Sequence, residues 1–215
     1  MHHLVAPKAH DEGESTALAI AAGVIEVAAK NILTHRFPMK HVRRAQEVDG
    51  ELASAWEEAA RAIIQRLDAG EDVAFPTLGD PAIYSTGFYV YEALAACGWA
   101  GRVEVIPGVS SVGASAASAN MPLCLGDERL VVLPATFEDE KIASLLQQVD
   151  VAVFMKVYRV LPRIVELLES LGMLENAVLV ERTSCGNERI WHDVRAALSE
   201  DLHYFSTLLV RKNRP

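Results

Sequence analysis

Apolar positions along the chain fall in short runs set between longer amphipathic stretches. Residues 13–32, rich in Ala, Ile and Val, predict a helix, and residues 49–69 predict a second that stops at Gly70. Residues 72–77 (DVAFPT) predict a short buried strand. A helix is expected over 81–96, with Asp80 as its N-cap, Pro81 at its first position and Gly98 beyond its end. Residues 102–106 (RVEVI) read as a strand, and the Ser/Ala-rich stretch 109–120 as a helix. The second half repeats this rhythm: strand 129–133, helix 138–148, strand 150–155, helix 159–171, strand 177–181, a turn at Gly186 and a terminal strand over 204–211. Short apolar strands alternating with helices predict an α/β chain with largely parallel sheets. Spacing does not separate one continuous sheet from two smaller ones. A boundary near Pro107-Gly108 would give one α/β domain over 1–107 and a second over 108–215.

Composition narrows the classes. With 51% hydrophobic and 23% charged residues in 215, the chain has the apolar material for a core, which excludes disorder as its main state. No apolar run reaches the ~18 residues of a membrane span. The first residues lack the cationic and apolar regions of a secretory signal. Lys plus Arg number 20 against 29 Asp plus Glu, a net charge of −9. Neither half is basic, so nucleic acid is not an expected partner, and an anionic substrate would need a local basic patch. Cys97, Cys124 and Cys185 are dispersed and form no C-x-x-C, which points to reducing cytoplasm and to no structural zinc. The histidines show no ligand spacing, so no metal site is expected.

Four segments could carry chemistry. In 77–86 (TLGDPAIYST) a strand ends, Gly79 permits close approach and Asp80-Pro81 opens a helix, the place where α/β folds seat ligands. Asp80 could cap that helix, or hydrogen-bond a ribose or an ammonium. In 107–115 (PGVSSVGAS) the G-x-x-x-x-G spacing is followed by Ala114 where a phosphate loop needs Lys, which excludes nucleoside triphosphates. What remains is a strand-to-helix turn carrying two hydroxyls, equally readable as capping and small-residue packing. In 153–157 (VFMKV) Lys156 follows a buried strand. In 179–184 (LVERTS) a strand ends in an acid–base pair that could be a surface ion pair of little energetic value. There is no G-x-G-x-x-G and no G-x-S-x-G, which argues against a dehydrogenase and a serine hydrolase.

Taken together and in this order, these segments resemble the tetrapyrrole methylase superfamily, and within it the branch that methylates precorrin-2 at C20 in cobalamin biosynthesis. The resemblance is carried by FPM at 37–39, TLGDPAIYSTGFYVYEAL at 77–94, the stretch 103–136, VFMKVYRVLPRIVELLESLG at 153–172, VLVERTS at 178–184 and YFSTLLVRK at 204–212. Gly-Asp-Pro and Pro-Gly-x-Ser are superfamily features. Tyr-Ser-Thr at 84–86, Leu-Gly-Asp-Glu-Arg at 125–129 and Met-Lys-Val at 155–157 are features of the C20 branch.

The resemblance implies two α/β domains with a donor-binding cleft between them, S-adenosylmethionine as methyl donor, a tetrapyrrole substrate rich in carboxylates, and a homodimer. It puts the donor against Leu78, Gly79, Asp80, Ile83, Ser110, Ser111, Met155 and Thr183. Arg129, Lys156, Arg159 and Arg182 are the expected partners of the substrate carboxylates. Glu181 is a candidate general base. Family members carry a strand and a Gly-Pro-Gly-Asp-Pro turn before the segment matching 5–8, so roughly 30 residues are expected to be missing, judged from ~100 residues per domain. Two other readings stay open: methylation of a different acceptor within the superfamily, and a non-catalytic α/β remnant.

Overall fold

The computed structural model describes residues 3–8, 13–37 and 50–212. Pro38 and Met39 of the 37–39 segment, and Asp49, lie outside them. The chain divides into two compact units, Met1–Gly108 and Val109–Pro215.

In the first unit, β1 (His3–Lys8) is flanked by β2 (Asn31–Arg36) and β3 (Val73–Ala74) in an all-parallel sheet of order β2-β1-β3. β1 and β2 pair over their full lengths, from His3 opposite Asn31 to Lys8 opposite Arg36. The helix expected over 13–32 is therefore wrong. It shrinks to α1 (Thr16–Ala21), capped by the Ser15 hydroxyl, which accepts from the Leu18 N–H at 3.3 Å. A single 3-10 turn at Val27–Ala29 then leads into β2. Gly23 and the β-branched residues after it weaken the helix, and pairing with β1 outweighs the Ala-rich local preference. Helix α2 (Gly50–Asp68) lays Leu52, Ala59, Ala60 and Ile63 inward, where the last three pack with Val5, Phe37 and helix α3 (Gly87–Ala96). The strand expected over 102–106 does not form. Without a ladder partner among the described residues, Val103, Val105 and Ile106 stay exposed.

In the second unit, α4 (Ser111–Ser118), β4 (Leu130–Pro134), α5 (Asp139–Gln148), β5 (Val151–Met155), α6 (Leu161–Ser170), β6 (Ala177–Glu181), β7 (Arg189–Trp191) and β8 (Ser206–Arg211) follow in order. The sheet order is β4-β5-β8-β6-β7. Only β4 and β5 pair in parallel; β8 runs antiparallel to both β5 and β6, and β7 antiparallel to β6. The expectation of largely parallel sheets thus holds for the first unit and fails here. The loop 182–188 folds β7 back on β6, and the terminal strand inserts between β5 and β6.

Period-two alternation splits the second core cleanly. Ala152, Phe154, Leu179, Leu208 and Val210 face α5 and α6, whose Ile142, Leu146, Ile164 and Leu168 meet them. Val153, Val178, Val180 and Leu209 face α4, whose Val112 and Ala116 let the helix lie close. Burying each of Phe154, Leu179 and Leu208, all fully inaccessible, contributes roughly 1.5–3 kcal/mol.

Candidate functional site

In the first unit the Gly-Asp-Pro turn is not the start of a helix. Asp80 folds back on its own turn: one carboxylate oxygen accepts from the Ala82 N–H at 2.8 Å, and the other from the Gly108 N–H at 3.0 Å. Tyr84 then takes a left-handed conformation (φ 53°), which interrupts any helix, and α3 begins only at Gly87. Ser85 supplies the local order, accepting from the Gly87 N–H at 3.1 Å and sharing a 2.8 Å hydrogen bond with Thr77. Asp80 is a staple rather than a helix cap. An aspartate can reach its own i+2 N–H, and that turn competes with the helix. The two glycine turns meet here. Gly79 holds φ 66°, and a Cβ at Gly108 would sit 2.4 Å from the Gly79 carbonyl oxygen. Leu78 and Ile83 flank the turn and are 39% and 37% exposed.

In the second unit the sequence-expected residues other than Arg129 gather at the end of the sheet where β5 and β6 finish and β8 begins. Met155 lies opposite Thr207, and Glu181 opposite Ser206. Ser110 caps α4, its hydroxyl accepting from the Gly113 N–H at 3.3 Å. The adjacent Ser111 hydroxyl donates to the Met155 sulfur at 3.8 Å. Lys156 and Arg182 both follow directly on strand ends and both hold positive φ, 60° and 51°. Burial lowers the Lys156 pKa below the usual lysine range. Arg159 is exposed and lies over the Tyr158 ring at 5.1 Å.

Thr183 is held by partners that the sequence did not single out. The Ser118 hydroxyl lies 3.1 Å from that of Thr183 and donates to Glu188 at 2.9 Å, while the Ser184 N–H donates to the same Glu188 oxygen at 2.7 Å. These bonds, the Ser184 N–H first, hold the Glu188 carboxyl below the usual range. No spacing rule joins Ser118 to Glu188, because the network closes through the end of α4 and the β6–β7 turn.

Two expected residues are engaged by neighbours within the fold. Glu181 is 2% exposed, and both oxygens are engaged by Arg189 (2.8 and 3.2 Å), with the His203 N–H on one of them at 2.5 Å. Burial raises its pKa, but Arg189 and the His203 N–H outweigh this and leave it lowered, the wrong direction for a general base. Arg129 precedes β4 and pairs with Asp150 at 3.4 Å. Since β4 and β5 run parallel, this places it about 20 Å of strand length from Lys156, at the opposite end of the sheet. The Leu-Gly-Asp-Glu-Arg run belongs to that far end as well. Glu128 accepts from the Leu125 N–H at 2.7 Å and pairs with buried Arg211 at 2.6 and 2.7 Å.

Among the described residues no three His, Cys, Asp or Glu side chains are grouped to hold a metal ion, and no helix is long and apolar enough to cross a membrane.

Comparison with known proteins now bears on these turns. The sequence profile of Tetrapyrrole (Corrin/Porphyrin) Methylases matches residues 9–199. The cobalt-precorrin-2 C(20)-methyltransferase of Salmonella typhimurium is 35% identical over 211 residues, 97% of this chain and 84% of that protein. The precorrin-2 C(20)-methyltransferase of Sinorhizobium sp is 34% identical over 169 residues, covering 77% of this chain and 66% of the relative. The crystal structure of a uroporphyrin-III C-methyl transferase from Thermus thermophilus, complexed with S-adenyl homocysteine, superposes with a TM-score of 0.57 at 18% identity. That match covers 99% of this chain and 98% of the other and shows a shared fold. A profile spanning both glycine turns, with a relative more than a third identical along nearly the whole chain, settles the membership: the chain belongs to the tetrapyrrole methylase family.

Proposed function

We propose that this chain transfers the methyl group of S-adenosylmethionine to C20 of precorrin-2, metal-free or cobalt-loaded, in cobalamin biosynthesis. The observation that carries this reading is the 35% identity to the Salmonella enzyme over 97% of the chain. Family membership makes the chain a methyltransferase that uses S-adenosylmethionine.

The residues present suit such a donor. In the first unit, Leu78 and Ile83 offer exposed apolar surface on either side of Gly79, whose left-handed turn keeps side-chain bulk away. We assign donor contacts there to Leu78, Gly79, Asp80 and Ile83. In the second unit we assign them to Ser110, Ser111, Met155 and Thr183, which supply a helix-capping hydroxyl, a second hydroxyl on the Met155 sulfur, a thioether for a flat base and a braced threonine hydroxyl. Bound S-adenosylmethionine supplies an electrophilic methyl on a sulfonium, and the reduced macrocycle supplies the carbon nucleophile. The protein's share is orientation. We assign substrate carboxylates to Lys156, Arg159 and Arg182, the cations beyond the ends of β5 and β6. The two units as the family's two domains, a homodimer and a cytoplasmic setting complete the proposal. The setting is supported by three free, dispersed cysteines.

The test is calorimetric titration with S-adenosylhomocysteine, followed by transfer of labelled methyl to precorrin-2 in metal-free and cobalt forms. A C20-methylated product is expected. Donor binding with no such product from either form would overturn the proposal.

A further inference from the structure

A cavity of about 330 Å³ opens in the second unit at the site end of its sheet, lined by Glu181, Arg182, Asn187, Arg189, Asp201, Leu202, His203 and Tyr204. Two arginines and two acids line it, and the hydrogen bonds divide them into committed and uncommitted groups. Arg189 is spent: it donates to both oxygens of Glu181, to Glu200 at 2.6 Å and to the Asp201 carbonyl. Glu181 is spent with it. The Arg182 guanidinium, by contrast, has no hydrogen-bond or ion-pair partner among the described residues, although its backbone N–H is anchored to the Phe205 carbonyl at 2.7 Å.

His203 is oriented in the same sense. Its Nδ1 accepts from the Phe205 N–H at 3.2 Å, so the neutral ring carries its proton on Nε2, which has no partner among the described residues. Burial, and then the nearby Arg182, hold its pKa below the usual histidine range, so the ring stays neutral. Tyr204 brings a hydroxyl likewise without a hydrogen-bond partner among the described residues, its ring packed edge-on against Tyr158 at 5.5 Å. Once the committed pairs are set aside, the Arg182 guanidinium, two neutral donors, Asn187 and the carboxylate of exposed Asp201 line the cavity, and Arg182 is the uncommitted cation among them. Arg182 also holds its left-handed φ of 51° without being glycine, a strained placement of the kind found at functional sites.

We propose that this pocket is a receptor for one peripheral carboxylate of the tetrapyrrole, with Arg182 as the ionic contact and the His203 Nε2–H and Tyr204 hydroxyl as specificity-determining donors. This rests on the tetrapyrrole reading above. The methionine carboxylate of the donor has the same chemistry, so the experiment separates the two sources.

Three variants remove one donor each with little disturbance: Arg182→Gln, His203→Asn and Tyr204→Phe. Asparagine can still accept from the N–H two residues on, which preserves the turn that His203 makes. Methyl-transfer kinetics with precorrin-2 and binding of uroporphyrin III, a polycarboxylate macrocycle, are read beside titration with S-adenosylhomocysteine. The KM for precorrin-2 and the Kd for uroporphyrin III are expected to rise about tenfold or more for Arg182→Gln, and several-fold for the other two. The S-adenosylhomocysteine Kd is expected to stay at the wild-type value. Unchanged macrocycle affinity in all three variants, with the wild type active, would overturn the pocket and leave the methyltransferase reading standing. Loss of S-adenosylhomocysteine affinity alone would reassign the pocket to the donor and overturn the proposal. A wild type that binds donor but neither macrocycle would overturn the tetrapyrrole reading itself.

Discussion

The two ends of the second unit's sheet carry similar charges and use them differently. Where β4 and β5 begin, Arg211 is 3% exposed and gripped by Glu128 and by the Pro122 carbonyl. Arg129 is on Asp150, and Lys212 donates to the Gln147 carbonyl. Among the described residues, these cations are committed to the fold. Where β5 and β6 end, a committed frame, Glu181 with Arg189 and Glu188 with Ser118, supports groups with no hydrogen-bond partner among the described residues: the Arg182 guanidinium, the His203 Nε2–H and the Tyr204 hydroxyl. A basic residue near a strand end therefore says little by itself. Which end it occupies, and whether its donors are spent, decides between stability and binding.

The largest expected effect comes from breaking the committed end. Arg211→Ala would leave the Glu128 carboxylate and the Pro122 carbonyl without their partner. Arg211 is buried while Glu128 is partly exposed, so the expected loss lies between that of a surface pair and that of a buried pair. Denaturant unfolding of the chain should show this loss, while the folded variant keeps its S-adenosylhomocysteine affinity. A loss below about 1 kcal/mol would make the clasp equivalent to a surface pair and remove the distinction between the two ends.

That distinction was only half visible in the sequence. Short continuous apolar runs such as 150–155 and 177–181 were legible because both faces of the second sheet are buried, which fixes strand identity wherever the strand pairs. The 13–32 stretch misled because its Ala-rich first half carries a helical preference, whereas the fate of 31–36 depends on the distant segment 3–8. The Gly-Asp-Pro and Pro-Gly turns stood out as places where ligands sit, but not the bond from Asp80 to Gly108, which joins residues 28 apart. Arg129 and Lys156 looked equivalent because each borders a strand, and only the parallel pairing of β4 and β5 sends them to opposite ends. Glu181 looked like a base because nothing local revealed Arg189 and His203 closing on it.

A middle-sized effect tests the frame at the site end. The Glu181 pKa is lowered from 4.5 in the folded protein, so its contribution to stability is fully present above the ordinary carboxylate value. That contribution is lost as pH falls through the lower folded value. Glu181→Gln should cost about 2 kcal/mol at neutral pH, the scale of hydrogen bonds to a charged group. It should also flatten the acid side of the stability profile, measured as denaturant midpoints stepped down through the carboxylate range. If Glu181 were instead a general base, the variant would lose turnover while its acid-side profile stayed that of the wild type.

The smallest effect sets the backbones of the two ends against each other. Both use left-handed turns, but the committed end fills its turn with Gly126 at φ 60°, whereas the site end holds Ser184 at φ 62° beside Arg182 at 51°. A Cβ at Gly126 would meet nothing within 4 Å, so Gly126→Ala isolates the conformational cost, about 1 kcal/mol of lost stability. Ser184→Gly runs the other way. The Ser184 side chain is exposed, and the bond to Glu188 is made by the backbone N–H, which glycine keeps. Relief of the left-handed strain is partly offset by the greater freedom of glycine in the unfolded chain, leaving a gain of about 0.5 kcal/mol. Thr183 would then sit between a looser neighbour and its Ser118 partner, so S-adenosylhomocysteine affinity should fall slightly as stability rises. Opposite movements of stability and affinity at position 184, with stability alone moving at 126, would show that the site end keeps its strain for binding. A Ser184→Gly variant that loses stability would mean that this turn is held by more than the Glu188 bond, and would place it with the committed end.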